Sequence, residues 1–366
     1  MTLSKYFILI AEIVLAGLAV CTIQFPLRKI TNKIIHVLLF LVKFFLLTGI
    51  AYELIADASP FVWKYDFPIS AVYLALLADL SADILYLLSA ILLKKKGYKV
   101  KVILTMILLT VISSYSIINM QVVSANRHEI ISDKLKNDYR FVFISDLHYG
   151  SSQSKATVDK TLKKISEEKP DFLLLGGDIT DEHTYPDEAE YLYEQISKIG
   201  VPVYFIYGNH DRQERGEYLG SKRMSEKQLE DAIINHGIQI LYENFEMIND
   251  DLILLGREDP SHPKERKAVK DLPVWPKDRY VICMDHTPYQ NDEIKEVGAD
   301  LQLSGHTHAG QLFPLKTLYA LAGLNVVGDY HIGDFDLYVS PGVSGWYLPL
   351  RNESHCYYEV FELSPR

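Results

Sequence analysis

Five short motifs between residues 146 and 308 hold side chains of the types that do chemistry: Asp146-Leu147-His148, Gly177-Asp178, Gly208-Asn209-His210-Asp211, His286 alone, and Gly305-His306-Thr307-His308. Carboxylates, imidazoles and one amide, with no thiolate among them, suit Mn, Fe or Zn rather than a cysteine-bound zinc or an all-oxygen calcium cage. The donors are numerous enough for two divalent cations. A carboxylate can bridge a pair of cations, and Asp178 is the natural bridge because its motif lies between the other clusters in the chain. Two metals about 3.5–4 Å apart polarise a phosphoryl group and activate a water for in-line displacement at phosphorus. The chemistry this points to is phosphoester hydrolysis.

The elements that must position these residues are legible around them. Each motif follows an apolar run of strand character: Phe141–Ile144, Phe172–Leu175, Val203–Ile206, Tyr280–Cys283 and Leu301–Leu303. All five motifs therefore fall where a strand ends and a loop begins, the place where open α/β sheets collect their chemistry. Helical patterns alternate with the strands over 155–169, 188–199 and 226–236. In the first, Val158, Leu162 and Ile165 fall on one face, as in a helix that covers a sheet. After Gly237 the pattern turns to short strands, ending with 337–339 and 357–361, which together predict two packed mixed sheets flanked by helices.

With the five motifs in this order, the stretch from about Arg140 to about Arg351 resembles the calcineurin-like metallophosphoesterases. The resemblance implies a four-layer αββα sandwich. It also implies that Asp146, His148 and His308 hold one metal, that Asn209, His286 and His306 hold the other, and that Asp178 bridges them. His210 takes the role of the imidazole beside the metals that contacts a phosphoryl oxygen or protonates the leaving group, oriented by Asp211. Many members have Glu where this chain has Asp211, a shorter arm. The extended run Gly305–Gln311 and the late stretch Ser340–Trp346 look like a membrane-linked bacterial subgroup. There Gln311 and Arg351 are candidates for touching substrate phosphate, the guanidinium by a bidentate grip, although Arg351 also reads as a solvated surface residue. Asp181 reads equally as a partner of the site or as a cap for the next helix.

The first 123 residues differ from the rest. They carry 11 Lys/Arg and 6 Asp/Glu, a net charge of +5, which leaves −15 for residues 124–366. This sets a domain boundary at 123/124, and the acidic second part argues against nucleic acid as a partner. Four apolar stretches, roughly 3–23, 34–55, 69–93 and 100–123, are each long enough to cross a hydrocarbon core of about 30 Å, so the sequence predicts four transmembrane helices. Eight positive charges (Arg28, Lys29, Lys33, Lys94, Lys95, Lys96, Lys99 and Lys101) flank the first and third connections, against Lys5, Lys64 and Arg127 on the other side. The balance predicts a multi-pass membrane protein with its phosphoesterase domain outside the cytoplasm. The first stretch also has the length of a signal peptide, but Val20 stands where cleavage wants a small residue, which favours an uncleaved helix. Asp79 and Asp83, four apart on one helical face, read either as a transport or lipid-binding cavity or as partners for Lys43.

A catalytic domain joined to membrane helices has the bilayer within reach, so the expected substrate is a lipid-linked or small phosphorylated molecule. The alternatives are a pyrophosphatase of the UDP-2,3-diacylglucosamine type, whose substrate arises in the cytoplasm, and a membrane sensor or transporter that uses the domain to bind a ligand. The polar stretch Arg212–Lys227 reads as a lid over the site or as a solvated helix start. The segment Asp259–Lys277 is a second candidate for choosing the leaving group. Cys21, Cys283 and Cys356 offer no disulfide framework.

Overall fold

The computed structural model describes residues 3–27, 33–56, 60–92, 98–213, 222–346 and 348–366, with side chains not described for residues 3–9, 24–27, 33, 53, 55–56, 60–67, 89–92 and 98. The chain divides into two compact units. One comprises residues 1–119 with two short later segments, Gln311–Leu318 and Leu350–Glu353; the other holds the remainder. The contact boundary thus falls between Asn119 and Met120, a few residues before the composition shift. The two late segments that join the helices carry no compositional mark.

In the helical unit, α1 (Leu3–Leu27), α2 (Lys33–Ala56), α3 (Pro60–Leu92) and α4 (Tyr98–Gln121) follow one another. Three of them contain spans long and apolar enough to cross a membrane: Ile34–Tyr52, Pro68–Leu88 and Lys99–Gln121. Within α1 the described apolar stretch, Ile10–Ile23, is shorter. Apolar side chains such as Leu15, Phe45, Leu87 and Ile118 point outward from these helices, the reverse of a water-soluble bundle.

Asp79 and Asp83 are partners within this unit. Lys43 of α2 lies 2.6 Å from Asp79 and also pairs with Asp83, while Lys101 of α4 reaches Asp83 and stands 3.5 Å from Asp79. Thr105 adds its hydroxyl to Asp79 at 3.4 Å. Two cations facing two anions answer the cost of ionisable groups in an apolar setting. Lys101, counted from sequence among the charges of a connection, is thereby committed inside the bundle. Of the other residues in that count, Arg28, Lys29, Lys94, Lys95 and Lys96 lie outside the described residues. The late segments are tied in by hydrogen bonds: the Tyr73 hydroxyl donates to Phe313 O (2.8 Å), Asn119 Nδ2 to Arg351 O (3.0 Å) and Arg351 N to Ser116 O (3.0 Å).

The second unit is built on two six-stranded sheets. The first has the order β1 (Val123–Ser132), β12 (Cys356–Pro365), β2 (Tyr139–Ile144), β3 (Phe172–Gly176), β4 (Val203–Ile206), β5 (Gln239–Ile240). The second runs β10 (Gly328–Ile332), β11 (Phe335–Val339), β9 (Leu301–Ser304), β8 (Tyr280–Met284), β7 (Leu252–Gly256), β6 (Asn244–Met247). Strands β2 to β5 are parallel, as are β7, β8, β9 and β11. Their carboxyl ends consequently line up along one edge of each sheet, and every motif read from the sequence lies at such an end.

Between the sheets, Phe141, Phe143, Phe172, Leu174 and Ile206 of the first meet Leu252, Leu254, Ile282, Met284 and Leu303 of the second. The outer face of the first sheet is covered by α5 (Lys155–Glu167), α6 (Pro186–Ser197) and α7 (Glu226–Asn235), with Val158, Leu162 and Ile165 of α5 buried as their spacing requires. The second sheet's outer face is covered mostly by irregular chain. Val269, Leu272 and Trp275 pack there with Ile294 of the short helix α8 (Asn291–Glu296). The segment Asp259–Lys277, a loop in sequence, is therefore in good part a core layer.

Candidate metal centre

Five of the proposed ligands sit in left-handed backbone: Asp146 (φ 53°), His148 (46°), Asp178 (52°), His306 (70°) and His308 (49°). Such a conformation costs a non-glycine residue of order 1–2 kcal/mol, and its clustering marks a place where function holds the chain in a strained path. Ladder bonds prolonged past the strand ends hold these turns, as Asp146 N donates to Gly177 O (3.0 Å) and His148 N to Asp178 O (3.0 Å). Glycine is needed where two turns touch. A Cβ on Gly208 would stand 2.5 Å from Asp178 N, so the Asn209 loop can lie on the Asp178 loop only without a side chain there.

The side chains converge in two groups. In the first, His148 Nε2 and His308 Nε2 face each other at 3.3 Å, and His308 Nε2 lies 3.5 Å from Asp146 Oδ1. In the second, His286 Nε2 is 3.0 Å from Asp178 Oδ2, and His306 Nδ1 is 2.9 Å from Asn209 Oδ1. Asp178 Oδ2 is also 3.7 Å from His148 Nε2, which places one carboxylate oxygen between both groups.

Divalent cations fit these donors. His286 Nε2 is buried and makes no hydrogen bond despite its short distance to Asp178 Oδ2, and Asp146 Oδ2 is likewise buried without a hydrogen-bond partner. Donor atoms that lie side by side without pointing at each other are aimed at a third point. The other nitrogen of His286, Nδ1, donates to Gly176 O at 2.8 Å, which fixes the tautomer that leaves Nε2 a lone pair. Electrostatics agree. Burial pushes the His286 imidazole toward neutrality, yet Asp178 and Asp146 outweigh it and hold its pKa well above the ordinary value, a field that a cation would satisfy equally.

Around the ligands lies a set of supports. Asp178 Oδ1 accepts from His210 N (2.9 Å) and Asp146 Oδ1 from His306 N (2.9 Å). Asp181, open between two roles in sequence, stands 3.6 Å from His148 Nδ1, while α6 is capped instead through Tyr185 and Glu188. Asp211 was expected to orient His210; the geometry corrects this. Its carboxylate accepts from the backbone amides of Gly208 (2.7 Å), Asp178 (2.8 Å), Thr180 (2.9 Å) and Ile179 (3.0 Å) and from the Thr180 hydroxyl (3.1 Å). The short arm of Asp is what the position needs, because the target is backbone next to it. The partner of His210 is Glu182, whose Oε1 lies 2.8 Å from His210 Nδ1, and the ring stacks on Trp346 at 5.0 Å between centroids. Burial alone would lower the His210 pKa, but Glu182 and then Asp178 raise it to about 10.

Neither Glu182 nor Trp346 stands out as a site residue in the sequence. The available signals were the acidic run Asp181-Glu182 shortly after Gly177-Asp178 and the place of Trp346 at the end of the stretch Ser340–Trp346. Of the proposed ligands, Asp146, His148, Asp178 and His286 are buried, whereas His306 is exposed and Asn209 is half-buried like His210, so the cluster opens to solvent on the His306 side. Gln311 and Arg351 belong to the helical unit. Both are fully buried, which rules out the solvated-surface reading of Arg351, and Gln311 Nε2 donates to Leu350 O (3.0 Å). Of the stretch 212–227, Arg212 makes a bidentate pair with buried Glu258 (2.8 and 2.7 Å) and Gln213 is fully buried, while 214–221 lies outside the described residues. His262 is buried beside Ser261 and His331 is exposed and paired with Asp336.

Residues 139–310 match the calcineurin-like phosphoesterase family. A protein from Helicobacter pylori described as an uncharacterized metallophosphoesterase is 30% identical over 241 residues, 61% of this chain and 59% of its own length. A transmembrane protein with metallophosphoesterase domain from Danio rerio is 27% identical over 266 residues, 68% of this chain and 59% of its own length. The Escherichia coli phosphodiesterase YaeI is 27% identical over 229 residues, 57% of this chain and 76% of its own. The chain thus spans about three fifths of the length of the first two relatives. The stretch 139–310, just under half of the chain, is thus similar to the calcineurin-like phosphoesterases, and it contains both groups of converging side chains.

Proposed function

We propose that this chain is a membrane-anchored, binuclear-metal phosphoesterase that hydrolyses a phosphate ester or pyrophosphate of a lipid-linked substrate. The observation that carries the reading is the position of Asp178 Oδ2, 3.0 Å from His286 Nε2 and 3.7 Å from His148 Nε2, a carboxylate oxygen shared by two imidazole-bearing groups. Asp146, His148 and His308 would hold one cation, Asn209, His286 and His306 the other, with Asp178 between them. Divalent ions of the Mn, Fe or Zn type bound there would supply Lewis-acid charge at the phosphoryl group and an activated water. The chain's own part is positioning and proton transfer. Glu182 takes the Nδ1 proton of His210 in a hydrogen bond, Trp346 fixes the ring plane, and the Nε2–H is left to donate to the leaving-group oxygen.

The membrane half of the proposal comprises four transmembrane helices and a domain outside the cytoplasm. Three apolar spans and the likeness to transmembrane relatives support anchoring, and the charge balance of the connections supports the side. The sensor or transporter reading would be favoured by a missing ligand, and the full donor set is present. Hydrolysis of bis-p-nitrophenyl phosphate by the full chain, stripped of metal and reloaded with Mn, Fe or Zn, tests the activity. A reporter fused after Arg366 tests the side, and cytoplasmic signal would overturn that part.

A further inference from the structure

Strands β2, β3 and β4 carry metal-binding motifs after their carboxyl ends. At their amino ends lies a second feature, a cavity of about 400 Å³. That is within the range of small-molecule sites, about 300–1,000 Å³. Buried Phe172 and Tyr204 line it from the strands, Pro202 and Ile248 add apolar surface, and exposed Asp138 and Asp171 stand around it. All of these residues belong to the second unit.

The polar side chains here have acceptors to offer and few donors. Two amides at the cavity have committed theirs: Asn137 Nδ2 donates to buried Asp251 (3.3 Å) and Asn249 Nδ2 to the Tyr139 hydroxyl (3.1 Å), which leaves both carbonyl oxygens. Asp171 Oδ2 accepts from Arg140 N (2.7 Å), so Oδ1 is left, and Asp138 accepts no bond from any described residue. Among the described residues no Lys, Arg or His pairs with Asp138, Asp171 or Asp251; Arg140, beside Tyr139 in the chain, pairs with Glu362 (2.7 Å) instead. Tyr204 is only 8% exposed, yet its hydroxyl makes no hydrogen bond and is not among the buried atoms, so it opens to the cavity it lines. Free acceptors and unpaired carboxylates call for a ligand that brings donors and positive charge, and they repel phosphate. A bare metal ion does not fit. Among the described residues, the only sets of three acidic or imidazole side chains close enough to share an ion are the two at the metal centre. We propose that this cavity binds a small organic cation, an alkyl-ammonium or alkyl-guanidinium. Its methylene stem lies on Phe172, Pro202 and Ile248, as the stems of Lys and Arg lie on apolar surface, and its head meets Asp138, Asp171 and the Tyr204 hydroxyl.

The test is equilibrium dialysis of radiolabelled agmatine, which carries both kinds of head group, against the purified full chain in nonionic detergent. The expected result is one saturable site per chain. Asp138→Asn, a change at an exposed side chain with no bond to lose, should weaken binding by about threefold or more, and Asp138→Asn/Asp171→Asn by about tenfold or more. Tyr204→Phe should weaken it with no fall in Tm, because the hydroxyl makes no bond within the protein. Asp292→Asn, at an exposed carboxylate of α8 outside the cavity, removes the same charge and should leave binding within about twofold. Loss of affinity in Asp292→Asn equal to that in Asp138→Asn would reduce the effect to diffuse attraction by an acidic surface and overturn the inference. Absence of saturable binding would overturn it too, as would displacement of agmatine by calcium but not by butylammonium. Competition by a capped arginine peptide separates the sources of this chemistry: displacement at concentrations below those of unlabelled agmatine assigns the site to a basic side chain of a protein partner, and the reverse order to a free amine.

Discussion

Gly208→Ala is the substitution whose effect can be worked most directly from the geometry. The added Cβ would stand 2.5 Å from Asp178 N and 2.8 Å from Asp178 Cγ, about 0.9 Å inside the 3.4 Å at which ordinary contact begins to the amide nitrogen. Because the clash is with backbone, rotating the Asp178 side chain does not relieve it; the Asn209 and Asp178 loops must separate. Metal–ligand distances hold to about 0.2 Å. A shift several times larger, between a ligand of one group and the residue shared by both, should remove at least one cation and lower turnover by about 100-fold or more. The assay is metal content per chain by mass spectrometry, with bis-p-nitrophenyl phosphate turnover. Gly200→Ala is the control, since Gly200 has φ +82° but nothing within 4 Å of an added Cβ. It should cost about 1 kcal/mol of stability and leave the metals in place. A Gly208→Ala protein that keeps two metals and turns over within threefold of wild type would refute the reasoning.

Four further outcomes follow from the same structure. His210→Ala should retain both metals and lose about 10²–10⁴ in kcat, and Glu182→Gln should lose about tenfold in kcat with little change in KM; loss of metal from either would contradict the roles assigned. Chelation should lower the unfolding free energy by about 2.7 kcal/mol if metal is normally present at 100 times its Kd, read as a fall in Tm that added metal reverses. Burial would raise the pKa of Asp251, but bonds from Tyr139, Lys136 N and Asn137 outweigh it and hold the carboxyl below the usual range. Its contribution is then present above the unfolded pKa of about 4 and lost as pH falls through the folded value. The Tm gap between wild type and Asp251→Asn should accordingly begin to shrink below about pH 5 and go on shrinking as pH falls through the folded value, and a gap independent of pH would contradict this. In the helical unit, Asp79→Asn leaves Lys43 short of a partner and should destabilise by about 3–5 kcal/mol, with Lys43→Met in the same chain recovering most of the loss in a detergent unfolding assay.

Sequence carried much of this, for identifiable reasons. Strands β3, β4 and β8 and most of β2 are continuous apolar runs because parallel strands are buried on both faces, and the motifs at their ends could be placed before any geometry was known. The spacing of Val158, Leu162 and Ile165 gave the buried face of α5. What could not be read depends on contacts between distant residues. Glu182 becomes the partner of His210 only when two loops meet 28 residues apart, and Trp346 reaches the same ring from the far end of the chain. Asp211 was misassigned because adjacency in sequence suggested a bond to His210, whereas the turn directs its carboxylate to the Asp178–Thr180 backbone. Likewise, Lys101 looked like a loop charge beside its neighbours, but one helical turn into α4 it faces Asp83. The grouping of 311–318 and 350–353 with the helices has no periodicity to announce it.

The most direct test of the two-metal centre is to count metal ions in the purified full chain and in Asp178→Ala while measuring hydrolysis of bis-p-nitrophenyl phosphate. Two ions per chain with metal-dependent turnover, and both lost in Asp178→Ala, is the expected result. A wild-type chain that binds a single ion, or an Asp178→Ala chain that keeps two ions and its activity, would contradict it.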